Sequence, residues 1–141
     1  MKITKYLIPV APAHFRRVLR ANPNLPQGYS ETEGGAKWFT LDEVLRLPRA
    51  LLYKHSTRCG TSMRAMLEVE RFARGEADVP VFGIDVIRQR SISDLAAQRL
   101  EIGHESPQVI LIRDGCAIWR ASHFRVTAAA LSAAIAEQVS D

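Results

Sequence analysis

Ala50-Leu51-Leu52-Tyr53-Lys54-His55, continuing into Ser56-Thr57-Arg58-Cys59-Gly60-Thr61-Ser62, is the stretch on which the fold of this chain turns. The first six residues are a mostly apolar run of strand length, the pattern of a strand buried on both faces. From Thr61 to Phe72 the period changes: Met63, Met66, Leu67 and then Val69 or Glu70 recur at helical spacing, and the helix ends near Gly75. A cysteine therefore falls between the end of a buried strand and the first turn of a helix.

Working outward, Pro80 to Ile87 reads as a second buried strand, parallel to the first across the intervening helix, which makes a βαβ unit. Ser91-Ile92-Ser93-Asp94 opens another helix through Leu100, stopped by Gly103. After Pro107, Val109 to Ile112 and Ala117 to Trp119 flank Asp114-Gly115, a tight-turn dipeptide, and form an antiparallel hairpin. Thr127 begins an alanine-rich helix with Leu131 and Ile135 on one face. Upstream, Thr40 stands as N-cap before Leu41 to Leu47, with Glu43 at the capping-box position and Pro48 as the stop. The order α, β, α, β, α, β, β, α over residues 37–141 specifies an α/β domain: a mixed four-stranded sheet with helices on both faces. Residues 1–36 differ. Prolines between Pro12 and Pro26 and the loop-like Ser30 to Gly35 mark an N-terminal appendage, partly irregular, with a short basic helix at Ala13 to Ala21.

A length of 141 residues, 47% of them hydrophobic and 24% charged, suits one folded core and lies far from the composition of disordered chains. The charge of +4 is spread out; Arg16, Arg17 and Arg20 make the only tight basic group, without aromatic interleaving, so no nucleic-acid partner is expected. Leu7 to Val10 is too short, and broken by Pro9, for a membrane span or an export signal, which leaves a cytoplasmic location as the expectation. Two cysteines, Cys59 and Cys116, are too few for a disulfide framework.

The surroundings of Cys59 favour a thiolate: unpaired N–H groups at a helix start and the cation of Arg58 both stabilise negative sulfur, and the thiolate is the form that attacks disulfides. Ser62, three residues on, faces the same side of the first turn, where its hydroxyl is placed to hydrogen-bond the sulfur. Cys-x-x-Ser lacks a nearby resolving thiol, so its product is a mixed disulfide with another molecule. Pro107, immediately before a strand, has no N–H to give the sheet; a cis Ser106–Pro107 bond accounts for it, with the loop close to Cys59 and its backbone free to pair with an incoming thiol peptide. Cys116 sits at the far end of the hairpin as a structural or incidental residue. His55, His104, His123 and Cys59 lack zinc-motif spacing, so no metal is expected; His55 or His104 tuning or orienting thiol chemistry is the better reading.

Together, Lys54 to Cys59, Val86-Ile87-Arg88-Gln89-Arg90-Ser91-Ile92-Ser93, His104-Glu105-Ser106-Pro107-Gln108-Val109-Ile110-Leu111 and Trp119 to His123 resemble the monothiol bacilliredoxins, the YtxJ-like proteins. The resemblance implies a thioredoxin-like fold, a cis proline at Pro107, and removal of bacillithiol from S-thiolated proteins by Cys59. It makes the expected function that of a thiol-disulfide oxidoreductase with a low-molecular-weight thiol, bacillithiol or glutathione, as co-substrate and no permanently bound cofactor. Catalysis falls to Cys59 and Ser62. Lys54, Arg58, Gly60, Thr61, His104, Ser106 and Pro107 are the candidates for holding thiol and substrate. Cys59-Gly60-Thr61-Ser62 also looks like the Cys-Gly-Phe-Ser of monothiol glutaredoxins, whose likeness implies the alternative: binding glutathione and a shared iron–sulfur cluster.

Overall fold

The structure, a computed structural model, describes residues 6–9, 39–58, 60–75 and 79–139, with the side chains of residues 6–9, 39, 40 and 139 left aside. Its frame is a sheet in the order β2-β1-β4-β3-β5-β6. Strands β3 (Arg49–His55) and β4 (Val81–Asp85) run parallel, with Leu51 beside Val81 and His55 beside Asp85. β5 (Gln108–Arg113) pairs antiparallel with β3, and β6 (Cys116–Ser122) with β5, so the expected four-stranded core is present. The edge beyond β4 holds two more short strands. β1 (Tyr6–Pro9) pairs antiparallel with β4, and β2 (Phe39–Thr40) with β1. Part of the N-terminal segment is thus a sheet strand, and Pro9 ends it, beyond the two positions, Tyr6 and Leu7, that pair with β2, where a missing N–H is tolerated. The boundary near residue 36 and the basic helix at 13–21 lie outside the described residues.

Period-2 alternation along β3 sorts its side chains to two cores. Leu51 and Tyr53 pack with Ala65, Met66, Val69 and Phe72 of α2 (Gly60–Gly75) and with Leu131, Ala134 and Ile135 of α4 (Ala128–Val139). Ala50 and Leu52 pack on the other face with Val44 of α1 (Leu41–Leu45) and Ile92, Ala96 and Leu100 of α3 (Arg90–Leu100). Because both faces are covered, β3 reads as a continuous apolar run. Two turns follow from backbone chemistry. Asp114 and Gly115 both take positive φ (50° and 82°), as a two-residue hairpin turn requires. Glu101, not Gly103, supplies the left-handed residue ending α3, and Ile102 N–H donates to the Ala97 carbonyl behind it.

The second strand is shorter than its apolar pattern suggests. Val86 N–H still donates to the His55 carbonyl at 2.9 Å, but the Asp85 carboxylate accepts the N–H groups of Ile87 (3.0 Å) and Arg88 (3.2 Å), folding residues 86–89 into a turn.

α4 starts on two side-chain caps: Thr127 Oγ1 accepts the Ala130 N–H and Glu68 Oε1 of α2 accepts the Ala128 N–H, both at 3.0 Å. Thr127→Ala is expected to cost about 1 kcal/mol in urea unfolding, and Thr127→Ser to cost little. Equal midpoints for wild type and Thr127→Ala would show that Glu68 alone holds this helix start.

Candidate functional site

The carboxyl ends of β3 and β4 meet the amino end of β5 on one side of the sheet. β3 stops at His55, Thr57-Arg58 form a turn, and α2 begins at Gly60. Residue 59 is the single link between that turn and the 16-residue helix; Cys59 itself lies outside the described residues. The backbone on either side of it is tied together. Ser62, fully buried in the first turn of α2, accepts the Ser56 N–H through Oγ at 3.2 Å, and Ser56 Oγ accepts the Arg58 N–H at 3.3 Å. The Ser62 hydroxyl expected to meet the sulfur thus also closes the loop that carries it. No acidic residue stands in the first turn of α2, so the helix itself places no negative charge beside the N–H groups of that turn.

Beneath the loop, the Tyr53 hydroxyl donates to the Ser62 carbonyl at 2.9 Å and lies 2.8 Å from His55 Nδ1. The phenol has one proton, and a carbonyl only accepts, so His55 Nδ1–H donates to Tyr53 and Nε2 keeps the lone pair. Burial pushes the His55 pKa down to about 4, against a smaller upward pull from Asp85. His55 is therefore a neutral imidazole of one tautomer at neutral pH.

On the opposite face Lys54 is completely buried. Its ammonium donates to the Ser93 carbonyl at 3.1 Å and reaches His104 Nδ1 at 3.5 Å, with Ser93 Oγ 3.3 Å from the same nitrogen. Desolvation lowers the Lys54 pKa, with Asp94 opposing; desolvation, Lys54 and Arg90 lower that of His104. An ammonium can only donate, so His104 Nδ1 carries the lone pair and the proton sits on Nε2. Lys54 and His104, both candidates for holding the small thiol, thus contact each other, and His104 is the member of the pair that meets solvent.

Lys54 pairs with Gln108 across the sheet, so Pro107 lies beside the His55 end of β3. The Ser106–Pro107 bond is cis, as expected. Pro107 is buried and Ser106 half-buried, while Arg58 and Gly60 are exposed and Thr61 half-buried; a Cβ at Gly60 would meet no atom within 4 Å. Of the residues named from sequence, the described ones, Lys54, Arg58, Gly60, Thr61, Ser62, His104, Ser106 and Pro107, lie at one end of the sheet, on its two faces. Tyr53, Ser56 and Ser93 were missed. Each is a polar side chain in an apolar or loop stretch, and only Tyr53, a hydroxyl within a buried run, carried a signal. Cys116 is exposed at the far hairpin end. Among the described residues, no three His, Cys, Asp or Glu side chains gather to hold a metal, and no helix is long and apolar enough to cross a membrane.

A βαβ unit joined to an antiparallel hairpin, with a cis proline beside the strand-to-helix junction, is the thioredoxin fold. Solved structures agree. A chain described as having a thioredoxin fold superimposes with TM-score 0.62 at 25% identity, covering 67% of this chain and 84% of the other. Thioredoxin from Aeropyrum pernix gives 0.61 at 14% identity, covering 96% and 94%, and a mutant thioredoxin from Halobacterium salinarum NRC-1 gives 0.58 at 21%, covering 70% and 81%. The last two speak for the fold alone. Residues 37–131 match the family model of the monothiol bacilliredoxin BrxC, so this chain belongs to the monothiol bacilliredoxin family. Family and fold together give it a thiol redox role.

Proposed function

We propose that the protein removes low-molecular-weight thiols from S-thiolated proteins through Cys59. The observation that carries this reading is the separation of the two cysteines. Cys116 pairs with Arg113, and Arg113 with Arg49, at the end of β3 remote from His55. Six residue steps along the strand are roughly 20 Å, while a disulfide needs Cα atoms within about 7 Å. Position 59 is joined directly to Gly60 at the start of α2, which follows the His55 end of β3, so on this reading the disulfide of Cys59 is made with another molecule.

In the reaction, the Cys59 thiolate attacks the small-thiol sulfur of the mixed disulfide. The old S–S bond breaks, its electron pair leaves on the protein's cysteine, and that sulfur takes a proton from water. Cys59 now bears the small thiol. A second small thiol, as thiolate, attacks that sulfur and releases the Cys59 thiolate together with the oxidised thiol dimer. The helix start and Arg58 favour the charged sulfur, Ser62 and Ser56 hold the loop, and the backbone of Ser106-Pro107 aligns the disulfide. Bacillithiol and glutathione both suit this chemistry as co-substrates.

Incubation with oxidised glutathione or oxidised bacillithiol, followed by intact-mass measurement, is expected to show one thiol adduct on wild type and none in Cys59→Ser. An adduct that persists in Cys59→Ser, or none on wild type with either thiol, refutes the proposal.

A further inference from the structure

The carboxyl end of β6 builds a second feature next to this site. β6 continues into a 3-10 turn, His123–Arg125, whose first residue has φ +56°, a region that favours glycine and costs other residues of order 1 kcal/mol. Two hydrogen bonds and one close approach hold it. His123 N–H donates to the Pro107 carbonyl at 2.9 Å, His123 Nε2 lies 3.4 Å from Glu105 Oε1, and Ser122 Oγ donates to Glu105 Oε2 at 2.9 Å. The turn is thereby fastened to the loop that precedes β5.

Between them opens a cavity of about 550 Å³ lined by Glu105, Arg120, Ser122, His123, Phe124 and Arg125. Its one carboxylate, Glu105, accepts the Ser122 hydroxyl and stands against two guanidinium groups. Arg120 and Arg125 are exposed and form no ion pair among the described residues. Phe124 is 69% exposed, and the Arg64 guanidinium, from the helix that follows position 59, stands 5.6 Å over its ring. Ser122 pairs with Gln108 and Gln108 with Lys54, so the cavity lies two strand spacings, roughly 10 Å, from the end of β3.

We propose that this cavity docks an acidic segment of the S-thiolated protein, with its carboxylates on Arg120 and Arg125 and its apolar atoms against Phe124. The inference rests on the exchange reaction at Cys59 and names its partner. Charge complementarity selects an anionic occupant. The exposed aromatic ring selects a polypeptide over a free small thiol, because arginine beside an aromatic side chain is the composition of protein-binding surfaces and a small polar thiol leaves such a ring uncovered.

Two peptides of equal length test it, each with one S-glutathionylated cysteine, one flanked by Asp and Glu and the other by Asn and Gln. Two partly exposed ion pairs predict about a tenfold higher kcat/KM for the acidic peptide. That preference is expected to fade with added salt, to disappear in Arg120→Ala/Arg125→Ala, and to shrink in Phe124→Ala. Equal rates on the two peptides in wild type overturn the proposal. So does a double variant that slows on oxidised glutathione as much as on the acidic peptide, because the cavity then serves the small thiol. A labelled acidic peptide with serine in place of its cysteine separates docking from exchange. Binding that the double variant weakens supports docking even where Cys59 exchanges nothing; absence of binding together with absence of acidic preference overturns it.

Discussion

Lowering the pH from 6.5 to 4 is expected to remove about 3 kcal/mol of stability from the folded chain, and His55→Gln to flatten most of that slope. The folded-state pKa of His55 is depressed to about 4 from an ordinary 6.5. Between those values the unfolded chain binds a proton at this residue and the folded chain does not, so stability is full above pH 6.5 and falls as the pH drops toward 4. The cause is structural: the imidazole is 1% exposed, and its Nδ1–H is already given to Tyr53. His104, also depressed, adds to the slope with the same sign, but it is exposed and survives in the variant. Urea unfolding at pH 7 and near pH 4.5 reads the effect as a difference between the two midpoints. A wild-type midpoint that does not move, or one that moves equally in His55→Gln, would show that His55 protonates without unfolding the protein.

Asp85→Ala is expected to destabilise the fold by about 3 kcal/mol, against under about 0.5 kcal/mol for Asp94→Ala. The Asp85 carboxylate is fully buried, accepts the N–H groups of Ile87 and Arg88, and pairs with the Arg88 guanidinium at 3.0 Å. Its loss strands those donors in a partly buried turn. Asp94 pairs with Arg90 at 3.3 Å with both side chains more than half exposed, where solvent screens the attraction. Asp85→Asn should fall between, since an amide oxygen still accepts the backbone donors. The turn also aims α3, which carries Ser93, so Asp85→Ala should loosen the Lys54–His104 contact; chemical denaturation together with histidine NMR shifts would read both. Indistinguishable costs for Asp85→Ala and Asp94→Ala would refute the assignment of the turn to this carboxylate.

The β3–α2 junction and the hairpin were readable because both are written locally. A change of period marks the first, and an Asp-Gly pair marks the second. The elements that escaped depend on distant partners. The partner of Lys54 could not be read from its place in a buried run, because its hydrogen-bond acceptor, the Ser93 carbonyl, lies 39 residues away. Val86 and Ile87 looked like strand because their side chains are apolar; a carboxylate one residue earlier decides otherwise. Tyr6–Pro9 is only four residues long and ends in proline, too little pattern to register as a strand. Nothing local announces the cavity beside His123, since a left-handed histidine is defined by its bonds to Pro107 and Glu105 rather than by its neighbours in sequence.

β6 ends the sheet among the described residues, so one row of its backbone N–H and C=O groups has no strand beside it. Such a border is a template on which a second chain can add a strand and start aggregation. The pairing of β5 and β6 slips between Leu111 and Ile112, which bends the border strand, and Arg120 stands exposed on it. A kinked and charged border resists in-register stacking of copies. The same arginine that faces the cavity thus also helps to keep the molecules apart.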